Sequence, residues 1–328
     1  MYTLGIETSC DETSCAVLYN RKVLSNVTIS SLKEHVQYGG VVPEIATRAH
    51  LRNINIVTRE AVKKAGLGFR KIDLIAVTAN PGLIGALLVG FNYAKSLALS
   101  LNKPFIGVNH LYAHIFSSFL DRTEPITFPF LGVVLSGGHS DIYLIKDFDK
   151  IKVIGKATDD ACGEVYDKIA RAFGMGYPGG KVIDDMFDTR YKDTIPFKCG
   201  RRGFDLSFSG IKTAVLYKGK EFSSDLRLTE IDRISILSSF QNAVVNTIIK
   251  VVSDASGKYN IRHLVFGGGV LANKYLRMRL HDEFSSFKLD LPPLKYTGDN
   301  AAMVAGLGFC LYNKKGFVSK VSLKAKAR

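Results

Sequence analysis

Two histidines four residues apart, His110 and His114, are the most chemically suggestive pair in this 328-residue chain. On a helix, positions i and i+4 share a face, so both imidazoles would project together, as two ligands of one metal ion do. Between them stand Leu111, Tyr112 and Ala113, so the H-E-x-x-H pattern of zinc peptidases, with its glutamate base, is absent. A metal needs a third ligand, and Asp299, in Thr297-Gly298-Asp299-Asn300, is the candidate. Standing just ahead of a helical pattern, it reads equally as a plain N-cap. Two imidazoles and one carboxylate leave coordination positions open, the arrangement expected of a catalytic iron(II) or zinc(II) site.

Glycine turns form a second constellation. Ser136-Gly137-Gly138-His139-Ser140 and Gly267-Gly268-Gly269-Val270-Leu271-Ala272-Asn273 each follow an apolar, strand-like run. Missing side chains let backbone N–H groups approach a phosphate or a purine face. Neither turn matches the P-loop or the G-x-G-x-x-G fingerprint, so a nucleotide bound here would need another fold. Acids near glycine turns, in the stretch from Asp160 to Asp167 and beside Tyr177-Pro178-Gly179-Gly180, suit ribose hydroxyls.

The elements that must position these groups alternate between strand and helix. A strand, a polar turn and a returning strand occupy 2–19, and the pattern recurs over 130–145. Each opens an α/β stretch, so the chain reads as two duplicated α/β lobes with the active site in the cleft between them. Further strands are expected at 74–78, 105–108 and 263–266. Helices are expected at 43–65, 84–101, 110–120, 161–173, 181–189, 211–217, 230–255, 271–284 and 300–312. The stretch 198–203 reads as basic and irregular. The lobes are expected at 1–125 and 126–312, with the helix near 300–312 packing back on the first, followed by a basic tail at 313–328.

Composition agrees with a globular chain of this size: 46% hydrophobic and 23% charged residues. No run of roughly 18 uninterrupted apolar residues suggests a membrane span, and the opening Met1-Tyr2-Thr3-Leu4 lacks the features of a secretory signal. Five scattered cysteines make neither a CxxC pair nor a disulfide framework, which suits a reducing, cytoplasmic setting, and Cys10 reads as a small loop residue. The net charge of +14 favours a polyanionic partner, and Lys314 to Arg328 carries six basic residues and no acid.

Seven segments resemble one family and occur in its order. They are Gly5-Ile6-Glu7-Thr8-Ser9-Cys10-Asp11-Glu12-Thr13, Gly39-Gly40-Val41-Val42-Pro43-Glu44, Asn109-His110-Leu111-Tyr112-Ala113-His114, Leu135-Ser136-Gly137-Gly138-His139, Tyr177-Pro178-Gly179-Gly180, Ser207-Phe208-Ser209-Gly210-Ile211-Lys212-Thr213 and Asp299-Asn300-Ala301-Ala302-Met303. The chain resembles the tRNA adenosine threonylcarbamoyltransferase (TsaD) family of the bacterial type, formerly labelled O-sialoglycoprotein endopeptidases, over residues 2 to about 312. The resemblance implies an α/β fold of the actin/Hsp70/sugar-kinase (ASKHA) class. It implies transfer of threonylcarbamoyl from threonylcarbamoyl-AMP to N6 of adenosine 37 in tRNAs reading ANN codons, with release of AMP. His110, His114 and Asp299 would then hold one divalent metal, iron(II) or zinc(II). Val134, Leu135, Ser136, Gly137, Gly138, Asp167, Gly180, Asp184 and Asn273 would bind the adenylate, and Asp11 and Glu12 would act catalytically from the first loop. Implied partners are tRNA, a TsaB-type paralogue and a TsaE-type ATPase, with a TsaC-type enzyme making the donor and no membrane involved. The chain departs from the family in Thr78-Ala79-Asn80-Pro81-Gly82-Leu83, where Asn80 stands in place of an expected glycine.

Other readings compete on the residues alone. A phosphotransferase or chaperone of the same fold uses the glycine turns but has no need of the His110–His114 pair or Asp299. A metallopeptidase uses the histidines but leaves the nucleotide turns idle. A non-catalytic scaffold uses neither.

Overall fold

Short apolar runs punctuated by glycine turns and longer amphipathic runs alternate along the chain, and they fold as strands and helices accordingly. The computed structural model describes residues 1–223 and 225–315. In chain order the first elements are β1 (Tyr2–Glu7), β2 (Glu12–Tyr19), β3 (Lys22–Ser30), α1 (Leu32–His35), α2 (Pro43–Lys64), β4 (Leu74–Asn80), α3 (Ile84–Leu101), β5 (Phe105–Asn109) and α4 (His110–Phe116). Then come β6 (Phe130–Leu135), β7 (Ser140–Asp147), β8 (Lys150–Lys156), α5 (Cys162–Ala172) and α6 (Gly179–Asp185). The remainder are β9 (Gly200–Arg202), β10 (Asp205–Ser207), α7 (Ser209–Phe222), α8 (Glu230–Tyr259), β11 (His263–Gly267), α9 (Lys274–Glu283), β12 (Lys288–Asp290) and α10 (Ala301–Lys315).

These elements form two units. Among the described residues, unit 1 takes Met1–Ile126 and 295–315, and unit 2 takes the described part of Thr127–Leu294. In unit 1 the sheet order is β3-β2-β1-β4-β5, with β1, β2 and β3 antiparallel and β4 and β5 parallel to β1. Unit 2 repeats the plan as β8-β7-β6-β11-β12, an antiparallel β6–β7–β8 followed by parallel β11 and β12. Each opening is therefore a three-stranded meander, one strand more than the hairpin read from the sequence. The extra strands are edges. On β8 the lysines 150, 152 and 156 face solvent, so its pattern reads as a polar loop although the backbone pairs; such charges protect a sheet edge.

The stretch expected to be irregular at 198–203 contributes β9, which turns through Gly203 (φ 62°) into β10. Its three β9 residues are all exposed, so no buried face existed to mark it. The helix expected at 181–189 starts earlier, at Gly179, and stops at Asp185. The helix expected at 110–120 ends at Phe116 and continues as a 3-10 turn, and that expected at 271–284 divides into a 3-10 turn and α9. The basic tail expected at 313–328 starts on α10, and its residues 316–328 lie outside the described residues.

Leu4, Ile6, Val17, Ile75, Val77 and Phe91 centre the core of unit 1, and Leu131, Val133, Ile169, Phe240, Leu264 and Phe266 that of unit 2. Helix α3 has the length and apolar composition of a membrane span, yet it turns Ala86, Leu87, Gly90, Phe91, Ala94 and Ala98 into its own unit. Helix α10 lies on β1 and β4 because small residues permit it. A Cβ on Gly5 would stand 2.2 Å from the Ala301 carbonyl oxygen, and one on Gly308 would stand 2.5 Å from Ala76 Cβ.

Candidate metal centre

The two histidines enter unit 1 at the point where β5 becomes α4. Asn109 makes that junction: its Oδ1 accepts the backbone N–H groups of Leu111 (2.9 Å) and Tyr112 (3.1 Å), satisfying donors that a helix start leaves open. Its Nδ2 donates to Asn80 Oδ1 at 2.8 Å. Asn80, where the sequence reading expects a glycine, thus braces the cap of the histidine helix. One turn of α4 separates His110 and His114, and their rings meet edge to face with centroids 4.5 Å apart.

Asp299 reaches the pair from the foot of α10. The N-cap reading of this residue does not hold, because Asn300 Oδ1 takes the Met303 N–H at 3.0 Å. Ser14 Oγ and Asn26 Oδ1, from β2 and β3, accept the N–H groups of Ala301 and Ala302. With the helix start satisfied from three sides, Asp299 is delivered to the histidines: its Oδ1 lies 3.1 Å from His114 Nε2 and 3.5 Å from His110 Nε2. One ligand atom from each of the three residues falls within 4.8 Å of the others.

This geometry fits a cation. Bonds of about 2.0–2.1 Å to a tetrahedral ion put neighbouring ligand atoms about 3.3–3.4 Å apart. His114 is fully buried, and neither of its ring nitrogens makes a hydrogen bond; the approach of Nε2 to Asp299 lacks the alignment one requires. A buried imidazole left so is costly unless another partner exists. Burial, helped by the nearby His110, holds its pKa below the ordinary histidine value, which keeps the lone pair a metal requires.

Behind His110 stands a residue that sequence reasoning missed. Glu7, at the end of β1, has no exposure at all. Its Oε2 lies 3.2 Å from His110 Nδ1 and accepts the Thr78 hydroxyl, and its Oε1 accepts the Ser9 N–H at 2.5 Å. Ser9 Oγ is also 3.2 Å from His110 Nδ1. Burial pushes the Glu7 carboxyl up, but the charge and hydrogen bond of His110 outweigh it, and the group ends below its ordinary value. The available signal was a carboxylate closing an otherwise apolar strand.

Asp11 and Glu12 follow β1 in the same unit. Asp11 is nearly buried, and its carbonyl oxygen accepts both the N–H and the hydroxyl of Ser31. Glu12 is pushed up to about 10 by burial first and then by the negative charges of Asp11 and Asp299, so it holds a proton at neutral pH. The Cys10 thiol is pushed well up by burial and by the same acids, which removes it as a nucleophile.

The residues expected at an adenylate all lie in unit 2. Val134 and Leu135 end β6 with buried side chains, so their backbone is what they can offer. Ser136, Gly137 and Gly138 form a turn closed by Ser136 N–H donating to the His139 carbonyl (2.8 Å), with Ser136 Oγ accepting the His139 N–H (3.1 Å). The second glycine turn folds onto it: Gly268 adopts φ 103°, and a Cβ there would sit 2.3 Å from the Leu135 carbonyl oxygen. Asp167, on α5, accepts the Gly179 N–H at 2.7 Å and is bonded to Gly180 as well, so part of its carboxylate is committed to starting α6. Asp184 and Asn273 are joined through Gln241 of α8, which sequence reasoning also missed. Gln241 Nε2 donates to Asp184 Oδ1 (3.1 Å), and Gln241 Oε1 accepts from Asn273 Nδ2 (2.9 Å). Among the basic residues, Arg201 pairs with Asp254 and Lys274 with Asp185. Arg277 donates to the Leu271 and Pro292 carbonyls, a structural employment.

Comparison with known proteins identifies the family. The family model described as TsaD, tRNA N6-adenosine threonylcarbamoyltransferase, matches residues 22–306. A tRNA N6-adenosine threonylcarbamoyltransferase of Thermosipho africanus is 46% identical over 99% of this chain and 98% of its own length. The enzyme of the same name from Bacillus subtilis is 42% identical over 96% of this chain and 91% of its own. In fold, the chain is similar to the HypF of T. kodakarensis (TM-score 0.63, 14% identity, covering 95% of this chain and 48% of that one). It is likewise similar to the activator of 2-hydroxyisocaproyl-CoA dehydratase from Clostridium difficile, solved with bound ADPNP (TM-score 0.53, 16% identity, 98% and 100%). The fold is thus the α/β ASKHA class expected from the sequence. The chain belongs to the tRNA N6-adenosine threonylcarbamoyltransferase family and is a transferase that places threonylcarbamoyl groups on tRNA adenosine.

Proposed function

We propose that the transfer is metal-assisted and uses threonylcarbamoyl-AMP, with N6 of adenosine 37 in ANN-reading tRNAs as acceptor and AMP as leaving group. The observation that carries this is the convergence of His110, His114 and Asp299, with a buried His114 whose ring nitrogens make no hydrogen bond. These residues would hold one divalent cation, iron(II) with zinc(II) as the alternative. When bound, such an ion supplies Lewis-acid stabilisation of the charge that develops on the carbamoyl oxygen and the phosphate.

The chain's own residues supply the rest. An adenine amine is a poor nucleophile, since its lone pair is delocalised into the ring, so the donor must carry a good leaving group; a mixed anhydride with AMP does. The backbone of Val134, Leu135, Ser136, Gly137 and Gly138, with Gly180, lines the place of the adenylate, where missing side chains allow close approach. Asp167, Asp184 and Asn273 orient the nucleoside part through their polar side chains. Asp11 and Glu12, at the turn from β1 into β2, act catalytically from that loop. An anticodon loop is single-stranded, so its base is presented without melting a duplex. Exposed Arg201 and Arg202, together with the basic tail, suit the tRNA backbone. A TsaB-type paralogue and a TsaE-type ATPase complete the assembly in the cytoplasm.

The test is incubation of the protein with threonylcarbamoyl-AMP, tRNA and the two partners, followed by nucleoside mass spectrometry. Formation of threonylcarbamoyladenosine is expected in the wild type and its loss in H110A, with circular dichroism unchanged. Full activity in an H110A protein shown to be metal-free would defeat the metal role.

A further inference from the structure

We infer that Glu7 is the positioning residue of the cation site: its carboxylate fixes the tautomer of His110 so that Nε2 is the atom presented to the metal. The inference deepens the metal reading above and rests on it.

The argument is one of donors and acceptors. Glu7 is wholly buried, and its two oxygens face three groups, the Ser9 N–H, the Thr78 hydroxyl and His110 Nδ1. An ionised carboxylate only accepts. A neutral imidazole beside Oε2 therefore carries its hydrogen on Nδ1, which leaves the lone pair on Nε2. That atom faces Asp299 Oδ1 at 3.5 Å, on the side where His114 Nε2 also points. Ser9 Oγ, 3.2 Å from the same Nδ1, is a hydroxyl that can give or accept, so it follows the tautomer and does not set it. Orienting partners of this kind govern the affinity of metal-ligating histidines.

The isosteric variant Glu7→Gln separates positioning from packing. The Ser9 N–H requires an acceptor at the Oε1 position, so the introduced amide turns its oxygen there and its NH2 towards His110 and Thr78. A donor now faces Nδ1. The imidazole responds by moving its hydrogen to Nε2, where it blocks the ligand position. Thr78→Val is the matched control: it removes another partner of the same carboxylate and leaves the carboxylate beside His110.

The experiment titrates cobalt(II) into metal-free protein and follows its visible absorption, with thermal melts of each variant in parallel. The expected result is a loss of cobalt affinity of about 10- to 100-fold in E7Q and an affinity within about threefold of wild type in T78V. Equal affinity in wild type and E7Q would overturn the inference while leaving the metal reading intact. Parallel losses in E7Q and T78V would also overturn it, since they mark a structural role. A wild type that takes up no cobalt overturns the metal reading and this inference with it. Should E7Q fail to fold, nitrogen NMR of metal-free wild type at alkaline pH decides the point: His110 protonated on Nδ1 supports the assignment, and protonation on Nε2 refutes it.

Discussion

Replacing Gly5 with alanine tests how the carboxylate is delivered to the histidines. A methyl group there would stand 2.2 Å from the Ala301 carbonyl oxygen and 2.8 Å from Ala305 Cβ. Ordinary contact begins near 3.4 Å, so the first turn of α10 must retreat from β1 by about 1.2 Å, at an overpacking cost of about 1–3 kcal/mol. Asp299 lies only two residues ahead of Ala301 and moves with that turn. Metal sites tolerate displacements of about 0.2 Å in their bonds, so a shift several times larger must be reversed on binding. We expect a destabilisation of about 2 kcal/mol in urea unfolding and a fall in cobalt affinity of at least about tenfold, equivalent to about 1.4 kcal/mol. Gly308→Ala provides the contrast: its methyl would meet Ala76 Cβ at 2.5 Å, about two helical turns beyond Ala301. It should lower stability similarly but change cobalt affinity far less. Wild-type stability and affinity in G5A, or an equal affinity loss in G308A, would refute the reasoning.

Gln241→Leu should cost about 1–3 kcal/mol in urea unfolding, because Asp184 and Asn273 each lose a buried partner; it should also weaken binding of a non-hydrolysable threonylcarbamoyl-AMP analogue measured by calorimetry. The metal-free protein should lose stability as pH falls below the ordinary histidine value of 6.5. His50 is buried, with Nδ1 at the Thr13 hydroxyl and Nε2 at the Cys10 carbonyl, and burial lowers its pKa. The unfolded chain then binds the proton more readily than the folded one, so the contribution of His50 is complete above 6.5 and declines below it, by at most about 1.4 kcal/mol per pH unit. Thermal melts across this range check the slope, which should shrink in His50→Gln.

The buried elements were the most legible. Runs such as Phe130–Leu135 and Ile84–Leu101 carry enough apolar residues to announce both type and limits. Elements without a buried stripe, β8 and β9, were not, since the pattern that marks a strand comes from its core face. Of the candidate site, ligand types and spacing were visible, because i and i+4 is itself a geometry. What supports them was not. Glu7, Asn109 and Gln241 act through partners 32 to 103 residues away or through a cap, and nothing local in their sequence distinguishes a bracing carboxylate or amide from a solvated one.

The split of unit 1 into two stretches of chain has a consequence for synthesis. When the ribosome has made everything through α4, both imidazoles exist, but the carboxylate that completes their set and the helix that covers β1 and β4 are still some 180 residues from emerging. On the proposed metal reading, a nascent chain would have only two of its three ligands until then. A truncation ahead of Asp299 would remove the helix that covers Gly5 and Ala76 on this sheet.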